Sequence, residues 1–134
     1  MSQTDCIFCK IIAGKLPSYK VYEDDDFVAF LDIFPSHYGQ TAVVPKHHHP
    51  SKFSDADIDL LQRLIVTTQK VAKKLEKKLD AERCIIVAEG LELDHLHLKL
   101  YPALRPDPTS YVVSKPGKRA DDKELQQILE NITS

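Results

Sequence analysis

His95 and His97 stand two residues apart in DHLHLKLYP, residues 94–102, and on the next beat of the same rhythm there is Lys99. Imidazole titrates near neutrality, so much of it is unprotonated at physiological pH and can act as nucleophile, base or metal ligand. A lysine ammonium brings positive charge and donors to a phosphate. Leu96, Leu98 and Leu100 fill the gaps. Successive side chains of a strand point to opposite faces, so the leucines share a core face while His95, His97, Lys99 and Tyr101 share the other. Such a face can simply be solvated. Two features argue for more. Glu92 and Asp94 crowd the turn before the row, and Pro45-Lys46-His47-His48-His49 sets a second group of histidines directly after an apolar run. Cys6 and Cys9 have the spacing of half a tetrahedral metal site, which two histidines would complete.

The elements that must position these residues can be read from periodicity. SYKVYE (18–23) and DFVAFLDI (26–33) read as two short strands around an acidic turn at Asp24 and Asp25. GQTAVVPK (39–46) is a third strand, opened by Gly39 and closed near Pro45. A long helix follows, with Ser54 as its cap and Asp57 three residues on as a weak capping box. Ile58, Leu61, Ile65, Thr68, Ala72, Leu75 and Leu79 fall at helical spacing. Lys73, Lys74, Lys77 and Lys78 crowd its last turns, where they suit the negative end of the dipole and form a solvated face. CIIVAEG (84–90) is a fourth strand and DHLHLKLYP a fifth. A Pro-rich loop (Pro102, Pro106, Pro108, Pro116) leads to a short C-terminal helix in DDKELQQILENI. The pattern predicts an α+β fold, a mainly antiparallel five-stranded sheet with one long helix and a short C-terminal one.

Composition bounds the function. At 134 residues the chain is expected to be one domain, residues 1–134. Hydrophobic residues at 43% are too many for a disordered chain, and a net charge of −2 gives no basic field for nucleic acid or an anionic membrane. No apolar run is long enough to span a bilayer. The start, MSQTDCIFCKIIAGK, lacks the charged beginning and continuous apolar core of a signal peptide, so a cytoplasmic location is the default. Three cysteines do not make a disulfide framework, and Cys84, opening an apolar strand, is expected to be buried and inert.

Three segments, CIFCKIIAGKLPSYKVYEDDDFVAFLDI, GQTAVVPKHHH and GLELDHLHLKLYP, occur in the order and spacing of three blocks of one family. Over nearly its whole length the chain resembles the histidine triad proteins, small nucleotide hydrolases and transferases. Their signature strand is H-φ-H-φ-H-φ-φ, with φ apolar. His95 matches its first histidine and His97 its second, while Lys99 stands at the third. The resemblance implies that His97 attacks the α-phosphorus of a nucleotide and forms a nucleotidyl-histidine intermediate. It also implies that the main-chain carbonyl of the residue at position 95 fixes the tautomer. The substrates implied are purine nucleoside phosphoramidates or dinucleoside polyphosphates. A nucleotidyl transferase or phosphorylase, and a slow nucleotide-binding or zinc-stabilised interaction module, stand as alternatives.

The resemblance assigns further residues. Asp32, ending the second strand, is implied to grip the ribose hydroxyls, with Phe30, Leu31 and Ile33 around it and Phe27 and Val21 nearby as candidates for a base pocket or for plain core. In the loop before the row, Val87-Ala88-Glu89-Gly90-Leu91-Glu92-Leu93 departs from the family's Asn-containing pattern, and Glu92 falls where a hydroxyl residue is expected beside the phosphates. A carboxylate there repels phosphate, so Glu92 is expected to pair with Lys99, structurally or catalytically. Zinc is the implied metal, held by Cys6, Cys9, His48 and His95, with His48 preferred over His47 and His49. A two-fold homodimer is a further implication.

Overall fold

The computed structural model describes residues 5–104 and 117–134. A short helix, α1 (Ile7–Ile12), precedes three strands, β1 (Lys20–Glu23), β2 (Phe27–Leu31) and β3 (Thr41–Pro45). The long helix α2 (Ile58–Leu79) follows, then β4 (Arg83–Val87), β5 (Leu98–Ala103) and the helix α3 (Asp122–Thr133). The strands form one antiparallel sheet in the order β1-β2-β3-β5-β4, as the α+β expectation required. Among the described residues no helix is long and apolar enough to cross a membrane.

Both faces of the sheet are covered at its centre, which is why β2 and β3 read as continuous apolar runs. On one face Phe27, Ala29, Leu31 and Val43 join Leu96, Leu98 and Leu100 beneath Leu64 and Leu75 of α2 and Ile128 of α3. On the other, Val28, Phe30, Ala42 and Val44 pack against Cys6 and Phe8 of the α1 segment. The sequence reading did not anticipate α1. It starts where the Cys6 sulfur accepts the Cys9 N–H at 3.3 Å, so the Cys-x-x-Cys pair forms its first turn.

Four expectations about the elements need correction. Asp57, not Ser54, caps α2: its carboxylate accepts the Leu60 N–H at 2.9 Å, while Ser54 lies in a separate 3-10 turn, Phe53–Asp55. An aspartate at this position also adds negative charge at the positive end of the dipole. The buried stripe of α2 is Leu60, Leu64, Thr67, Thr68, Val71, Ala72 and Leu75. Ile58 and Ile65 from the expected stripe are 73% and 49% exposed. In the first turns Leu60 and Leu64 take the core face, while Ile58 and Ile65 lie off it. The fifth strand begins at Leu98, not Asp94; His95 and His97 sit in the segment entering it, tied to the histidine run by the Leu96 N–H donating to the His49 carbonyl at 2.8 Å. Pro102 belongs to β5, beyond the last rung with β3 at Leu100, so its missing N–H breaks no rung there. The rest of the expected Pro-rich loop, with Pro106, Pro108 and Pro116, lies outside the described residues.

Candidate active site and metal cluster

The alternation read from DHLHLKLYP holds even outside the strand, but the face opposite the leucines is not solvated. His95 is wholly buried and His97 is 4% exposed, because the Phe8 ring stands edge-on against both imidazoles at 5.6 and 5.0 Å. That ring also meets Phe30 at 5.4 Å. Phe8, between the two cysteines, therefore closes the histidine row from above.

Each histidine is held in one tautomer by a main-chain oxygen. His95 Nε2 lies 2.8 Å from the Pro45 carbonyl, which can only accept, so this nitrogen carries the proton and Nδ1 is left with its lone pair. His97 is arranged the other way. Its Nδ1–H donates to the His95 carbonyl at 2.7 Å, leaving Nε2 as the unprotonated nitrogen. Burial pushes His95 down to about 4, the neighbouring His48 and His97 adding to the effect against the Pro45 hydrogen bond. Burial likewise holds His97 below the usual imidazole value, with the Lys99 charge helping and the hydrogen bond to His95 opposing. Both rings are neutral at physiological pH.

The free Nδ1 of His95 faces a cluster. It is 3.3 Å from the Cys6 sulfur and 3.5 Å from that of Cys9, and Cys9 is in turn 3.3 Å from His48 Nδ1. All four donor atoms lie within 4.8 Å of one another. Tetrahedral bonds of the usual zinc–sulfur and zinc–nitrogen lengths would separate such donors by about 3.5 Å. Burial and the adjoining Cys6 sulfur push the Cys9 thiol up to about 11, so two thiolates side by side here call for a cation between them. These four residues could therefore bind a metal ion. Of the three consecutive histidines, His48 reaches the cluster, while His47 is exposed.

A cavity of about 360 Å³ opens beside His97, lined by Phe8, Phe30, Asp32, Ile33, Lys99 and others. A smaller one, of about 210 Å³, lies on the other side of Asp32 against α3 and holds neither His97 nor Lys99. Asp32 leaves β2 with both oxygens engaged: one accepts the Phe34 N–H at 2.7 Å, the other the Gln40 side-chain amide at 2.8 Å. Gln40 is itself buried and accepts the Ser36 N–H at 2.8 Å, so the carboxylate is braced from the β2–β3 connection. Leu31 borders the cavity but packs in the core beneath α2. Phe27 and Val21, candidates for the base pocket, fall wholly in that core.

Lys99 does not pair with Glu92. Its ammonium donates to Glu89 at 2.9 Å. The register explains this: Val87 is opposite Lys99, so the chain leaving β4 carries Glu89 past the lysine, while Glu92, exposed, sits on the cavity rim. The hydrogen bond from Lys99 holds the Glu89 carboxyl below its usual range, against the effect of burial. Gly90 then turns the chain at φ +57°, and a Cβ there would lie 2.6 Å from that of Ser51. Ser51 donates its hydroxyl to the Gly90 carbonyl at 2.7 Å and its N–H to Asp94 at 2.9 Å. Asp94 therefore anchors the loop. Cys84 is half-buried, its thiol pushed up to about 12 by burial and then by Glu76. Sequence reasoning missed Phe8, Gln40 and Glu89. Gln40, a polar residue leading an apolar strand, was the one with a local signal.

Residues 13–103 match the HIT domain. The chain belongs to the HIT family. It is 40% identical over 107 residues to an uncharacterized HIT-like protein of Methanocaldococcus jannaschii, a match covering 76% of this chain and 81% of that one. It is 29% identical over 128 residues to the adenosine 5'-monophosphoramidase of Saccharomyces cerevisiae, covering 92% and 77% respectively. The crystal structure of a hypothetical histidine triad nucleotide-binding protein from Sulfolobus tokodaii superposes with a TM-score of 0.83 at 30% identity, over 96% of this chain and 89% of that one. The HIT match spans the row from His95 to Lys99 but begins after Cys6 and Cys9. Half of the metal cluster thus comes from outside the matched HIT segment.

Proposed function

We propose that this chain is a HIT hydrolase that cleaves nucleoside phosphoramidates or dinucleoside polyphosphates at the α-phosphate through a nucleotidyl-histidine at His97. The observation that carries the reading is the tautomer of His97, which leaves Nε2 unprotonated on a buried imidazole that lines a cavity large enough for a nucleotide. Similarity to a named monophosphoramidase supports it. In this reading the Nε2 lone pair forms a bond to phosphorus, the bond to the leaving group breaks with its electron pair, and water then cleaves the P–N bond to His97. Lys99 supplies positive charge to the developing phosphorane. The braced Asp32 has lone pairs left for two ribose hydroxyls, with Phe30 and Ile33 beside the base.

The ion we assign to Cys6, Cys9, His48 and His95 is zinc, on the two-thiol, two-imidazole donor set. Its part is structural: it would fix α1 and the His95 backbone, and no bond-making step passes through it. A two-fold dimer belongs to the same reading. β4 is an edge strand with Ile86 half exposed, and Ile65 and Val66 face outward from α2.

The test is to incubate the protein with radiolabelled adenosine 5'-phosphoramidate, quench, and look for label on His97. Adduct and AMP are expected from the wild type and neither from His97→Ala. AMP release by His97→Ala at the wild-type rate would sink the covalent mechanism.

A further inference from the structure

The order of strands lays the cavity out in sequence. Asp32 leaves β2 on one flank, His97 and Lys99 lie on the β5 segment, and Glu89 and Glu92 come from the β4–β5 connection on the other. If the ribose is at Asp32 and the α-phosphorus at His97, as the proposed function has it, the leaving group continues toward Glu89 and Glu92. Among the described residues the charged side chains lining the cavity are Asp32, Glu89, Glu92 and Lys99. That is three carboxylates against one ammonium. One α-phosphate charge can share Lys99, but the further phosphates of a polyphosphate would meet two carboxylates and, among the described residues, no second cation. A cationic group would meet them with attraction.

Proton transfer points the same way. Cleaving a P–N bond requires that the nitrogen leave with the electron pair and gain a proton. An ammonium with the ordinary lysine value of about 10.4 is a weak acid at neutral pH, badly matched to a phosphate leaving group, which departs as a stable anion unaided. It is well matched to an alkylamine, whose own ammonium has similar strength. Burial works to weaken Lys99's hold on its proton, but the hydrogen bond to Glu89, together with the nearby Tyr101 and Asp32, outweighs it and the lysine stays charged. The nucleophile is independently in place: His97 borders this cavity, and its Nδ1–H is committed to the His95 carbonyl, which leaves Nε2 as the unprotonated nitrogen.

We infer that Glu89, acting through Lys99, makes this end of the cavity selective for a basic amine leaving group that carries its own positive charge. His97 Nε2 adds to phosphorus, the P–N bond breaks toward nitrogen, and Lys99 passes one proton to it and recovers one from water. Glu89 is a positioning and specificity residue: it fixes Lys99 at 2.9 Å and, once the lysine turns to the leaving nitrogen, faces the amine's distal charge.

The experiment compares three substrates on wild type and Glu89→Gln: AMP joined through nitrogen to propylamine, AMP joined to the diamine of equal length, and diadenosine tetraphosphate. Wild type should prefer the diamine conjugate over propylamine by about tenfold in kcat/KM and over the tetraphosphate by far more, and Glu89→Gln should erase the first preference, mainly through KM. Lys99→Ala should slow the alkylamine conjugates more than an aniline conjugate, whose weakly basic nitrogen needs less acid help. Equal kcat/KM ratios in wild type and Glu89→Gln would overturn the inference. Binding of the intact conjugates to His97→Asn separates it from the covalent reading: a diamine preference there that Glu89→Gln removes supports the inference even if no His97 adduct forms.

Discussion

The Nδ1–H of His97 donates at 2.7 Å to the main-chain oxygen of His95, whose own side chain belongs to the Cys6–Cys9–His48 cluster. One residue thus faces the metal cluster with its ring and the candidate nucleophile with its backbone.

His97→Ala should reduce turnover by several orders of magnitude while nucleotide binding stays measurable, because a covalent step has no substitute nucleophile. Single-turnover kinetics and equilibrium binding on the same variant check this. Activity within about tenfold of wild type would remove His97 from the chemistry.

The pH profile of kcat/KM follows from burial. His97 is held below the ordinary imidazole value, so it stays unprotonated to lower pH than a free histidine. The acid limb should fall below about 6.5, and an inflection at or above that value would contradict a buried neutral nucleophile. Stability of the metal-free protein should run in the same direction. His95 titrates at about 4 when folded, so the unfolded chain binds the extra proton first as pH falls. Stability is full above about 6.5 and declines toward pH 4. Chemical denaturation across that window measures it.

Removing metal with a strong chelator should lower the melting temperature, since metal that binds only the folded chain adds its free energy to folding. Cys9→Ser should lose the metal and show a lower melting temperature that the chelator no longer changes. Protein purified with ample zinc and found by elemental analysis to hold no metal would sink the assignment.

Lys99 and Glu89 should couple in a double-mutant cycle, Lys99→Ala against Glu89→Gln, by about 0.5–1 kcal/mol in stability. The side chains are 26% and 32% exposed, so solvent screens the pair and a larger value is not expected. Lys99→Ala against Glu92→Gln should be additive. The reverse pattern would return Glu92 to the role the sequence suggested.

The fold was largely legible because its evidence is local. Short apolar runs between turn residues marked the strands, and the alternating leucines at 96, 98 and 100 proved to be core. The pairing of His95 with Cys6 and Cys9 crosses some 90 residues, and only resemblance to the histidine triad proteins suggested it. Glu89 stayed hidden for a different reason. Its nearness to Lys99 depends on the β4–β5 register, whereas Glu92 drew attention because it falls at the position expected beside the phosphates. The burial of His95 and His97 depends on Phe8, and α1 is too short to announce itself by periodicity.

Helix α1 has only six residues, so it cannot persist on propensity and needs tertiary contacts to stay formed. It supplies Cys6 and Cys9 to the cluster, and Ile7, Phe8 and Ile11 to the cavity wall. If the proposed metal and nucleotide each steady this segment, whichever binds first meets part of the ordering entropy for the other. Thermodynamic reciprocity then requires that metal tighten nucleotide by the same factor as nucleotide tightens metal. A filled cavity should slow the exchange of isotopically labelled zinc, so that the protein keeps hold of its ion most firmly while nucleotide is bound.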